Sequence, residues 1–218
     1  MKRRDFLIGG AAALTASSLA LPRARAQSLS GTLTDADRAE LRRAEDYLNG
    51  IDTMYSRFRQ TASNGNQAAG FLALDRPSRM RFEYDAPHPV VMIADGYELT
   101  YYDRELQEAR QLPTFETPLW FLLRDRISFG DGLDVLWMKR SEDVMVVRVA
   151  QREGNDRGTV NLVFSEQPMQ FRGWEIVDAA GVSVQVALEN TRYGVELDSE
   201  MFDEKQLPGY RSLQRNSR

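Results

Sequence analysis

Gly70-Phe71-Leu72-Ala73-Leu74-Asp75-Arg76-Pro77, followed after Ser78-Arg79 by Met80-Arg81-Phe82-Glu83-Tyr84, decides the fold class of this chain. Apolar and charged side chains alternate with a period of two, which puts one apolar and one wetted face on each of two β-strands. After the Ala86-Pro87-His88-Pro89 break, Val90-Val91-Met92-Ile93 runs into Asp95-Gly96, a two-residue hairpin signal, and on into Leu99-Thr100-Tyr101-Tyr102. These pieces form an antiparallel meander. No catalytic signature falls within Gly70–Asp103, so the stretch reads as the wall of a cavity rather than an active site.

Working outward, Thr34 or Asp35 can cap a helix whose apolar positions Leu41, Ala44, Leu48 and Tyr47 recur at three- and four-residue spacing, with Gly50 ending it. Thr53–Ala62 is expected to be a strand with Met54, Ser56, Phe58 and Gln60 on one face, joined by Asn64-Gly65 to a strand beginning near Gln67; a helix continuing through Ile51, Tyr55 and Phe58 is the alternative. Glu108–Leu112 adds a strand. Thr117-Pro118-Leu119-Trp120-Phe121-Leu122-Leu123 then predicts a short helix, with Thr117 as its cap and proline at its first position. That helix is apolar nearly all round. It must be buried by the sheet or cover something hydrophobic, because each large apolar side chain left in water forfeits roughly 1.5–3 kcal/mol. Gly130-Asp131-Gly132 is a turn. Further strands follow at Val135–Arg140, Val144–Gln151, Thr159–Phe164 and Gln170–Asp178 and, after Ala180-Gly181, at Val182–Asn190. Turn residues at such regular spacing point to an all-β sheet or barrel, not to alternating βαβ units.

The chain has 218 residues, 42% of them hydrophobic, which suits one domain with a sizeable core. Residues 1–26 read as a cleaved export signal: Lys2-Arg3-Arg4-Asp5-Phe6-Leu7 resembles a twin-arginine start, Ile8–Leu21 is apolar, and Ala24-Arg25-Ala26 is a small-x-small cleavage site. A general secretory signal is the alternative. Either route leads to a bacterial periplasm, and residues 27–218 form the single mature domain. The apolar run of 14 residues is short of the roughly 20 that a spanning helix needs. Loss of the segment removes five basic residues and one acidic residue, taking the formal charge from −4 to −8, which argues against nucleic acid and anionic lipid as partners. With no cysteine there is no disulfide, no thiolate metal site and no lipid-modified N-terminal cysteine.

His88 is the only histidine and lies between two prolines, where it reads as a solvated turn residue. No Gly-x-Ser-x-Gly elbow, His-Glu-x-x-His, phosphate loop or dinucleotide fingerprint occurs. Glu83, Asp85, Asp95 and Glu98 could supply a glycosidase-like carboxylate pair but are better explained as outward strand positions and turn residues. Asp131 and Asp134 lack calcium-loop spacing. The chain is therefore not expected to be an enzyme. Arg76 stands apart: its donors could reach the unsatisfied main-chain carbonyls at a facing helix end, or it could pair at the surface with Asp75 or Glu83.

Taken in order, Tyr47-Leu48-Asn49 running to Phe58-Arg59-Gln60-Thr61, Gly70-x-Leu72-x-Leu74-x-Arg76-Pro77, Ala94-Asp95-Gly96 before Leu99-x-Tyr101-Tyr102-Asp103, and Thr117-Pro118 opening an apolar helix resemble the outer-membrane lipoprotein carrier family, periplasmic chaperones related to LolA. The likeness covers about residues 35–207. It implies a curved, incomplete antiparallel β-barrel whose concave face is closed by helices acting as a lid. It also implies a function: accepting acylated lipoproteins from an ATP-driven extractor in the inner membrane, burying their acyl chains, and delivering them to an outer-membrane acceptor. Neither a cofactor nor a metal is implied, and a monomer is expected. Leu72, Leu74, Met80, Phe82 and Tyr84 are then assigned to the concave wall that binds cargo, Trp120 and Phe121 to the lid or its hinge, and Arg76 to the contact that locks the lid. A periplasmic lipid sensor, a carrier of another lipid and an envelope enzyme are the competing functions.

Overall fold

The structure, a computed structural model, describes residues 33–152 and 158–208, so the export segment expected at 1–26 and nearly all of the arm that follows it lie outside the described residues. Helix α1 spans Asp35–Asn49. Thr34 caps it reciprocally: its hydroxyl accepts from the Asp37 N–H at 3.1 Å, while the Asp37 carboxylate accepts from the Thr34 N–H at 2.9 Å. Thr34→Ala removes the hydroxyl, and with it the bond it accepts from the Asp37 N–H and the bond it donates to the Asp37 carboxylate, and should lower the thermal unfolding midpoint by about 2–4 °C, readable by circular dichroism. Gly50 closes the other end through bonds from its N–H to the Asp46 and Tyr47 carbonyls.

Among the described residues, eleven strands follow in one antiparallel sheet. They are β1 Thr53–Ala62, β2 Gln67–Asp75, β3 Arg79–Tyr84, β4 Val90–Ala94, β5 Glu98–Asp103, β6 Glu108–Pro113, β7 Leu133–Ser141, β8 Val144–Gln151, β9 Thr159–Glu166, β10 Met169–Val177 and β11 Ser183–Tyr193. Their spatial order, β6-β5-β4-β3-β2-β1-β11-β10-β9-β8-β7, is two meanders joined where the first strand pairs with the last. The sheet curls into an open barrel with β6 and β7 as its free edges. The chain between those two edges, residues 114–132, carries only 3-10 turns, at Thr114–Glu116 and Trp120–Leu123.

Strand β1 shows the expected facing: Met54, Ser56 and Phe58 are buried, and the helical alternative is not formed. Phe58 pairs with Gly70 across β1 and β2. A Cβ at Gly70 would sit 2.0 Å from the Glu83 carbonyl oxygen and 2.6 Å from the Phe58 ring, so only glycine lets that ring lie flat on the sheet.

Three sequence expectations are corrected. Thr117–Leu123 is not a capped helix. The Thr117 hydroxyl bonds backward to the Thr114 carbonyl at 2.8 Å, and Leu119 rather than a polar side chain precedes the 3-10 turn at Trp120. The hairpin signal is displaced by one residue: Gly96-Tyr97 forms the tip, and the Asp95 carboxylate accepts from the Tyr97 and Glu98 N–H groups at 3.1 and 3.2 Å. Strands β9 and β11 run on to Glu166 and Tyr193 because their partners continue beside them, with Glu166 opposite Met169 and Tyr193 opposite Met54.

The main core fills the concave side. Leu41, Ala44 and Leu48 of α1 join Leu72, Leu74, Phe82, Phe121, Leu162, Phe164 and Trp174 in one apolar cluster. A second, smaller cluster lies on the outer face of β4 and β5, where Val91, Ile93 and Tyr102 pack against Leu207 of the C-terminal segment. That segment is held by Arg81, which donates to the Met201 carbonyl at 2.8 Å, and by the Tyr102 hydroxyl, which donates to the Pro208 carbonyl at 2.6 Å.

Candidate functional site

The alternation in β2 and β3 turns Leu72, Leu74, Met80, Phe82 and Tyr84 to the concave face: Leu72 pairs with Phe82 and Leu74 with Met80 across the strands. Phe82 stacks on Phe58 with ring centroids 4.0 Å apart, and Tyr84 meets both edge-on at 5.3 Å. The Tyr84 hydroxyl donates to the Gln60 side-chain carbonyl at 2.6 Å. Burial pushes its pKa up to about 12, against the opposing effect of that hydrogen bond, so it stays neutral.

Beneath Arg76 the interior is nearly full. Leu48, Met54, Leu72, Leu74, Met80 and Trp174 are among the side chains around a residual void of only about 20 Å³, room for about one water molecule. Met80, Leu72 and Leu74 line this void, whereas Phe82 and Tyr84 belong to the aromatic cluster with Phe58, and Tyr84 also lines a separate cleft of about 310 Å³ with Met92 and Tyr101. Trp120 and Phe121 diverge: Phe121 is wholly buried in the core, while Trp120 is half-buried beside a separate surface cleft with Pro77 and Tyr97.

Two segments cover the concave face, α1 and the 120–129 stretch, and one side chain ties both to the sheet. Arg76, in the turn between β2 and β3, donates from Nη1 to the Leu48 and Ile51 carbonyls at 2.6 and 3.1 Å. Its Nη2 donates to the Arg124 and Asp125 carbonyls at 2.8 and 3.1 Å, and Nε adds a bond to the Arg124 carbonyl at 3.1 Å. These acceptors include the Leu48 carbonyl, which also accepts from the Ile51 N–H at 3.2 Å and lies in the last turn of α1, where the helix dipole favours a cation. Burial lowers the Arg76 pKa, and the charges of Asp52 and Asp125 counter it; an arginine remains charged throughout. The surface-pair alternative is not formed. Asp75 pairs with Arg79, and Glu83 with Arg81 and Arg104.

The sequence did not single out two other residues of this latch. Asn49 clasps the main chain of Ile127, donating to its carbonyl and accepting from its N–H, both at 2.8 Å. The Glu45 carboxylate accepts from the Phe129 N–H. Both lie on α1 one turn apart; the signals were a polar residue on that helix edge and, for Asn49, its place in the Tyr47-Leu48-Asn49 motif.

Of the candidate carboxylates, Glu83 and Asp85 are held by arginines. Burial alone would raise the Glu83 pKa, but hydrogen bonds from Arg104 and Arg81 outweigh it and hold the group below the ordinary glutamate value. Asp85 is bound by Arg57. His88 is exposed and touches only the edge of the Tyr84 ring among the aromatic contacts, at 6.1 Å. Among the described residues no group of three or more potential ligands is placed to hold a metal, and no helix is long and apolar enough to cross a membrane.

Comparison with known proteins gives a consistent family. An outer-membrane lipoprotein carrier protein of Halorhodospira halophila is 27% identical over 184 residues, covering 78% of this chain and 83% of that protein. One from Azotobacter vinelandii is 23% identical, covering 78% of this chain and 86% of that protein. Among solved structures, a DUF1329 family protein from Desulfovibrio piger shares the fold with a TM-score of 0.52 at 11% identity, over 80% of this chain and all of that one. The family profile described as outer membrane lipoprotein carrier protein LolA matches residues 49–205. Over most of its length, then, the chain belongs to the LolA family of outer membrane lipoprotein carrier proteins.

Proposed function

We propose that this protein is a periplasmic chaperone that shields the acyl chains of lipoproteins between an ATP-driven extractor in the inner membrane and an acceptor at the outer membrane. The observation that carries the reading is an apolar interior filled by its own side chains and closed by a polar latch, Arg76, whose bonds can be exchanged for water. Each acyl methylene removed from water contributes roughly 0.8 kcal/mol. Bound chains can therefore displace α1 and the 120–129 segment from the concave face, and closure of those segments expels the chains again. On this reading Leu72, Leu74 and Met80 contact cargo first, Phe82 and Tyr84 form the floor that Phe58 braces, Phe121 is the part of the covering segment that withdraws from the core, Trp120 flanks it, and Arg76 locks the empty state. No covalent chemistry by this chain is needed.

The test is release of acyl-labelled lipoproteins from spheroplasts that contain a working extractor. Purified protein added outside should recover them as a soluble complex of one carrier per lipoprotein. Retention of all label in the membrane, with the added protein folded, would overturn the reading in favour of a sensor or a carrier of another lipid.

A further inference from the structure

Among the described residues, two buried side-chain polar atoms have no hydrogen-bond partner: the Thr114 hydroxyl oxygen and the Trp120 indole nitrogen. Both lie on the β6–β7 connection and line one cleft of about 750 Å³ beside the latch. The backbone of Thr114 is fully engaged. Its N–H donates to the Tyr97 carbonyl at 2.9 Å, and its carbonyl accepts from the Thr117 N–H at 3.0 Å and the Thr117 hydroxyl at 2.8 Å. Only its hydroxyl is left unmet, with the residue 6% exposed. The Trp120 ring lies under the Arg124 guanidinium at 5.2 Å. That guanidinium donates to the Asp131 carbonyl and carboxylate at 2.9 and 2.8 Å, which holds it over the ring.

A buried donor or acceptor without a partner raises the free energy of the state that buries it and is relieved when water reaches it. Burial of these two atoms, on the connection that enters and carries the 120–129 segment, therefore opposes the closed arrangement that the Arg76 bonds to Arg124 and Asp125 favour. We infer that Thr114 and Trp120 are positioning residues for cargo exchange: their unmet polar atoms keep the empty, closed state shallow enough for acyl chains to open it. The inference rests on the carrier reading for its consequence on binding, but not for the imbalance itself.

Thr114→Val keeps the shape and removes the hydroxyl. The variant should unfold about 2–4 °C higher and bind a fluorescent fatty acid on the order of five- to tenfold more weakly than the parent, the factor that a modest gain in closure predicts. Trp120→Phe keeps an aromatic face under Arg124 without the N–H and should weaken binding in the same direction. Thr114→Ser retains the hydroxyl and should bind as the parent does. Parent-like binding by both Thr114→Val and Trp120→Phe would overturn the inference. If the parent itself fails to bind the fatty acid, the carrier reading falls and the midpoint decides: a rise in Thr114→Val still upholds the opposition to closure, and no rise removes it.

Discussion

Replacing Arg76 with leucine is expected to make the cargo-free protein bind an apolar dye roughly ten- to hundredfold more tightly, because the guanidinium bonds two covering segments that leucine cannot hold. Hydrogen bonds to a charged group contribute about 1.5–3 kcal/mol each in protected sites. Here the side chain is partly exposed and its freed carbonyls regain water, so the net loss of closure is set at about 1.4–2.7 kcal/mol in total, the range that gives those factors. The same change should trap cargo, since a lid that no longer closes cannot expel it; hand-over to acceptor membranes should slow correspondingly. Arg76→Lys keeps the charge but not the planar fork and should fall between the two. A dye titration and a hand-over assay on the three proteins check this, and unchanged values in both would remove Arg76 from the site.

Phe82→Glu is the more severe change. At 5% exposure, with its ring 4.0 Å from that of Phe58 and 6.3 Å from that of Trp174, Phe82 is a core residue as well as a wall residue. Loss of the ring costs about 3–5 kcal/mol. An unpaired carboxylate in its place costs several kcal/mol more unless it takes up a proton. Against a total stability of about 5–15 kcal/mol, the variant should be largely unfolded or melt far below the parent. Thermal unfolding followed by near-ultraviolet dichroism reads this directly. A variant that melts with the parent would show that this face does not pack as described. Phe82→Leu, which keeps the site apolar, is the form in which to ask about cargo.

The strands were legible because their signal is local. Alternation in Gly70–Tyr84 sets which side chains share a face, and that periodicity does not depend on what the face is packed against. The destination of Arg76 was half legible. Its fork and its place at a strand end suggested main-chain acceptors, but the choice between carbonyls and a neighbouring carboxylate depended on Arg79, Arg81 and Arg104 having already taken Asp75 and Glu83, which is tertiary information. Thr117-Pro118 misled because the cap pattern is necessary but not sufficient. With Thr117 turned back to Thr114 and the next residues forced across the gap between two sheet edges, four residues of 3-10 turn fit where an α-helix would not. Asn49 could not be singled out, since nothing in its sequence neighbourhood identifies Ile127, 78 positions away, as its partner.

The C-terminal segment makes the two halves of the sheet mechanically unequal. Strands β4 and β5 carry apolar side chains on both faces, the outer set capped by Leu207, while the outer face of β8 and β9 mixes the Val146–Val163 pair with a hydrogen bond from Arg148 to the buried Asn161. If the inner face were emptied, the first half would keep the layer that Leu207 makes with Val91, Ile93 and Tyr102. On the proposed carrier reading, widening of the barrel is then expected away from that braced side, a compliant jaw working against a fixed one.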